Sequence, residues 1–197
     1  MDIGPQHRRG LKSTCAKPIF YHKNPYEVYQ IMDMEHDYTL LPVKDDHRCF
    51  ACGPANAAGL KMRFYAGTES VVSWVTVPEH LRGWSTLVHG GVISTILDEI
   101  MSWTAIHLIK SVILTKSMTV EFKKPIHVEQ KLKAVGKITA ISGDREVTLE
   151  GFLFNSEGLL CARAEGVFAL LKPKVALKLG VVDKAELEQF VPKTETR

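Results

Sequence analysis

The chain has 197 residues, 45% hydrophobic and 24% charged, and its 25 Lys and Arg against 22 Asp and Glu leave a formal net charge of +3. Such totals describe one ordinary globular domain with a sizeable core and short appendages, and scattered lysines at so small a net charge give no reason to expect nucleic acid. Four cysteines are too few for a disulfide scaffold; with no secretory signal and no apolar run of about 20 residues read in the chain, the expectation is a cytoplasmic protein without a membrane span.

Residues 1–46 are broken up by Pro5, Gly10, Pro18 and Pro25. They are read as an N-terminal arm, with a short helix over 26–34 opened by Asn24-Pro25. A loop follows, carrying His47, Cys49 and Cys52. Three soft ligands stand close together there. Zinc takes four, no second pair follows, and Cys15 and Cys161 lie at unhelpful distances, so a packing role and no metal is the expectation. Gly53-Pro54 marks a turn. Leu60, Met62 and Phe64 then alternate with Lys61 and Arg63, which predicts a strand over 60–65. A turn at Ala66-Gly67-Thr68 leads to a second strand over 70–77, closed by Pro78.

The stretch that follows is the centre of the chain. After His89, Gly90 and Gly91 the apolar residues Ile93, Ile96, Leu97, Ile100, Met101, Ala105, Leu108 and Ile109 fall at helical spacing, over roughly four to five turns. This helix contains Asp98 and Glu99, and no Lys or Arg lies between Arg82 and Lys110. A buried carboxylate without a cation is costly and shifts its pKa, which points to chemistry. Asp98 shares a stripe of small residues with Gly91, Ser94, Thr95, Ser102 and Ala105, leaving room for a ligand or a second helix. Glu99, about 100 degrees around the helix, is read as a structural acid, with a catalytic role as the alternative.

Four more strands are predicted after the helix, over 112–123, 130–141, 145–154 and 159–171, the last closed by Pro173. Residues 47–172 form the domain and 173–197 a polar tail, with a short helix over 184–190 capped by Asp183. Two strands, one long helix and four strands joined in series predict an α+β domain: an antiparallel meander with the helix covering one face.

Three sets of residues resemble one family. The first is Cys49-Phe50-Ala51-Cys52-Gly53 with Asn56 and Gly59-Leu60. The second is His89-Gly90-Gly91 with Asp98 nine residues after the His. The third runs from Thr115 to Phe122-Lys123-Lys124-Pro125. Together they resemble the hotdog-fold acyl-CoA thioesterases of the phenylacetyl-CoA thioesterase-like branch, over roughly residues 48–171. Ala57 stands where relatives often carry Pro. The resemblance implies one long helix wrapped by an antiparallel sheet of about six strands. It also implies a homodimer or tetramer with active sites at subunit interfaces, and no cofactor beyond the coenzyme A thioester that is the substrate.

Its implied roles can be set beside the chemistry. Asp98 would be a general base on water, or a nucleophile, because water alone is a poor nucleophile at neutral pH. Gly90 and Gly91 would offer helix N-terminal amides to the thioester carbonyl, where glycine lets a substrate approach closely. His89 would orient the substrate or the loop, and Thr115 would hold the water or bond Asp98. Asn56, Lys123 and Arg145 would bind substrate, the two cations through the phosphates of coenzyme A. The other readings are an acyl-CoA-binding sensor or scaffold without turnover and, more weakly, a hotdog hydratase or dehydratase. Fold alone does not exclude the former.

Overall fold

The computed structural model describes residues 38–191. The helix predicted over 26–34 and most of the arm lie outside the described residues. In chain order the elements are β1 (Thr39–Leu40), β2 (Tyr65–Ala66), β3 (Val71–Thr76), a 3-10 turn (Glu79–Leu81), α1 (Gly90–Ile109), β4 (Val112–Phe122), β5 (Lys131–Ser142), β6 (Glu146–Asn155), β7 (Leu160–Leu171), α2 (Pro173–Lys178) and α3 (Lys184–Phe190). The strands make a single seven-stranded sheet in the order β1-β2-β3-β5-β6-β7-β4. All its pairings are antiparallel.

The predicted four-strand meander is corrected by this order. Of the four strands after the helix, β5, β6 and β7 follow one another as neighbours, whereas β4 pairs with β7 and β5 with β3. The crossing lies between Phe122 and Lys131. There the backbone is held against the approach to α1, by Val88 N–H to Ile126 O at 2.9 Å and Val128 N–H to Thr86 O at 2.9 Å. Glu129 N–H then reaches Val77 O at 2.9 Å, which delivers the chain to the free side of β3.

The sheet wraps α1. Its inward side chains Ile96, Leu97, Ile100, Met101 and Ala105 are fully buried, and full burial of each larger one stabilises by about 1.5–3 kcal/mol. Close seating depends on glycine. A Cβ on Gly136 of β5 would stand 2.1 Å from Thr104 Oγ1 and 2.6 Å from Ile100 O. Gly151, its partner across β6, lies under Leu97 and Met101. The 20-residue α1 is long and apolar enough to cross a membrane by length and composition only. In the fold it is the core helix. It ends at Lys110, whose left-handed backbone (φ 56°) closes the last turn.

Two further elements differ from expectation. Leu60, Met62 and Phe64 do point inward, all at most 7% exposed. However, Lys61 takes a left-handed φ of 51°, and Leu60 and Met62 bond back to the Phe50 and Ala51 carbonyls, so the strand contracts to β2. Beyond the last strand Pro173 opens α2, a short helix that was not predicted, since proline suits the first helical turn. The predicted tail helix is α3, closed at its start by a capping box between Asp183 and Glu186.

Candidate functional site

At the start of α1, His89 is the N-cap, and its Nδ1 accepts the Gly91 N–H at 3.0 Å. The ring proton is then on Nε2. Val92 and Ile93 donate to His89 O. Among the described residues, that leaves the Gly90 amide as the one at the start of α1 with no intramolecular acceptor. Beside it is a cavity of about 340 Å³ lined by Leu87, Val88, Gly90, Ile93 and the 122–126 segment. Phe122 packs close to Gly90, where an added Cβ would meet its ring at 3.6 Å. Both Lys123 and Lys124 are fixed by their amides to Cys161 O, at 2.8 and 3.0 Å. The Lys123 ammonium pairs with Glu121. Lysines at a helix N-terminus make a positive mouth suited to phosphates and to a polarised carbonyl.

Asp98 lies two turns further along the helix and half-buried. Thr115 Oγ1 donates to its Oδ1 at 2.8 Å. A β-bulge skips Lys116 between Thr115 and Ser117, and bulges of this kind re-aim a side chain. Burial pushes the Asp98 carboxyl above its ordinary 3.8, while the Thr115 hydroxyl pulls it back down. Eight residues of helix separate Asp98 from Gly90, about 12 Å along the axis. Within one chain they cannot meet on one carbonyl.

The expected stripe is only partly there. Ser94 and Thr95 bond back to Gly90 O and Gly91 O, and Ala105 is buried against the sheet. Arg145 is exposed beside Asp144 at 3.9 Å, on the turn between β5 and β6. Along β7, the partner of Phe122 is Ala162 and that of Glu146 is Ala169, so roughly 23 Å of strand separates Arg145 from Lys123. Asn56 is engaged by its own loop. Its Oδ1 accepts Ala58 N–H at 3.1 Å and its Nδ2 donates to Arg48 O at 3.4 Å. Phe122 and Lys124 line the cavity without having been singled out as site residues; the signal for them was the basic-basic-Pro stop itself.

Glu99 faces away from Asp98 into the 47–53 loop, with the Cys49 thiol donating to its Oε1 at 3.6 Å. Burial, reinforced by the charge of Cys49, pushes Glu99 up to about 8. A hydrogen bond from Cys52 pulls Cys49 down, and the same contact together with burial pushes Cys52 up. His47, Cys49 and Cys52 have their ligand atoms within 4.8 Å of one another.

A seven-stranded antiparallel sheet wrapped around one long helix is the hotdog fold. The family model of the thioesterase superfamily matches residues 86–162. Among solved structures the chain is similar to a thioesterase superfamily protein (TM-score 0.59, 23% identity, 73% of this chain and 75% of the other). It is also similar to the Escherichia coli PaaI protein from the phenylacetic acid degradation operon (0.54, 15%, 75% and 94%). A third is the smu.793 protein of Streptococcus mutans, solved bound to acetyl CoA (0.51, 15%, 56% and 88%). At these identities the likeness is one of fold. No curated protein sequence matches the chain.

Proposed function

We propose that the protein is an acyl-CoA thioesterase whose site is completed by a second copy of the chain. The observation that carries the reading is the Thr115–Asp98 hydrogen bond, set beside a strand, β4, that ends the sheet order and is exposed through its middle from Leu114 to Ser117. One copy presents the half-buried carboxylate. Another presents Gly90, the cavity and the two lysines. The match of residues 86–162 to the thioesterase superfamily model and the acetyl CoA in a similar structure support the same ligand chemistry.

In this reading the Gly90 amide polarises the thioester carbonyl, and His89 and Gly91 hold the helix mouth in shape. With Oδ1 held by Thr115, Asp98 takes a proton from water through Oδ2. The water oxygen bonds to the carbonyl carbon, the C–S bond breaks, and the coenzyme A sulfur leaves and is protonated. Lys123 and Lys124 receive phosphates; Arg145 reaches the same coenzyme only from a different subunit, and Asn56 shapes its loop.

Thiol release over a panel of acyl-CoA esters tests it. Asp98→Asn should lower kcat about 100-fold or more with little change in KM, the range for a lost general base. Wild-type rates in Asp98→Asn would reject the mechanism. Tight ester binding by the wild type without any released thiol would favour the sensor reading.

A further inference from the structure

The 47–53 loop is built in a way that thioester hydrolysis does not use. It sits behind α1, on the side away from Asp98, and brings together groups of one chemical kind. The ligand atoms of His47, Cys49 and Cys52 all lie within 4.8 Å of one another. Glu99 of α1 stands beside them, its Oε1 accepting from Cys49 Sγ at 3.6 Å. We propose that His47, Cys49 and Cys52 bind a zinc ion, with Glu99 next to the thiolates as the acid that holds the Cys49 sulfur in place.

The backbone supports the assignment. Ala51 N–H points at Cys49 Sγ at 3.4 Å, a bond that favours a thiolate. Gly53 N–H closes the turn on Cys49 O at 2.9 Å, and Ala55 N–H closes it on His47 O at 3.1 Å. No side chain fits at Gly53, where a Cβ would meet Cys49 N, Cys49 O and His47 O at 2.5–2.6 Å. The result is a tight Cys-x-x-Cys-Gly turn with both sulfurs on one side.

Electrostatics points the same way. Two thiols and a carboxylate share one partly buried space, and among the described residues no lysine or arginine forms a salt bridge with Glu99. A divalent ion bound there would offset that negative charge, and any proton left on the sulfurs passes to solvent as the metal–sulfur bonds form. The aromatic surround is already in place, with Phe190 edge-on to both the His47 ring and Trp103 at 5.5 Å. Zinc there would fasten the loop and α3 to the central helix. Thiolate and imidazole donors suit zinc over calcium or magnesium.

The test uses the full chain, reduced and stripped with chelator, then titrated with Co(II) and afterwards Zn(II). The expected result is one Co(II) per chain with thiolate-to-cobalt charge-transfer absorption, displaced by Zn(II). Cys49→Ser and Cys52→Ser should lose that absorption, and Cys161→Ser should keep it. Glu99→Gln should retain the thiolate bands but bind about 10-fold or more weakly. Because Cys52 is buried and its variant can fail to fold, His47→Ala, on a half-exposed position, provides a second arm and should weaken binding equally. Absence of charge-transfer absorption in reduced wild type, an unchanged spectrum in Cys49→Ser, or a Cys49–Cys52 disulfide persisting under reductant would each overturn the proposal. None of these readouts depends on hydrolysis, so the site stands or falls apart from the thioesterase reading.

Discussion

Thr115 is a modest residue with a specific effect. A threonine in a strand is ordinary by propensity, and its exposure would mark it as surface. The bulge at Lys116 turns its hydroxyl onto Asp98. The sign of its influence on pH dependence follows. Burial raises the Asp98 pKa above 3.8 and the Thr115 bond lowers it. If Asp98 acts as the base, kcat/KM climbs with pH as the carboxyl ionises and then levels. Thr115→Val removes the lowering contact, so the rising limb should move to higher pH, with the rate loss greatest on the acid side. A kcat/KM profile across the acid range checks this; an unmoved limb would take Thr115 out of the site. His89 carries a different lesson. Its position before two glycines predicted a substrate or loop contact, and what the fold shows is a helix cap on Gly91.

At the scale of elements, the seating of α1 on the sheet is the most demanding contact. Gly136 and Gly151 read in the sequence as weak points in strands, yet they are where the helix backbone meets the sheet. Gly136→Ala should lower unfolding stability by about 2–3 kcal/mol or more, because the obstruction is Ile100 backbone and the buried Thr104 hydroxyl, neither of which can step aside. Denaturant midpoints measure it, and a loss under about 0.5 kcal/mol would show the helix sits further out. Strand periodicity located β3 to β7 within a residue or two. It failed at 60–65, where inward alternation is real but Lys61 breaks the ladder. Periodicity reports which face is buried; it does not report whether a neighbouring strand is present.

For the whole molecule, β4 is the surface through which the proposed assembly would form. An 11-residue strand at the sheet edge, with Leu114 44% and Phe122 56% exposed, is a surface that proteins rarely leave open. We expect a homodimer or a larger even assembly in solution, read from sedimentation or native mass. A Leu114→Lys change should weaken it and lower kcat together, since the proposed site needs both copies. A monomer with full activity would contradict the interface site.

The sequence by itself determined α1, β3 to β7 and the tail helix α3, the burial of α1, and the oddity of carboxylates within it, because these depend on local spacing and on the hydrophobic effect acting along short windows. Only the tertiary structure decided that β4 closes the sheet beside β7, that Thr115 reaches Asp98, and that Glu99 turns back to join His47, Cys49 and Cys52. Those facts come from residues 17 to 59 positions apart in the chain, brought together by packing that no local pattern records.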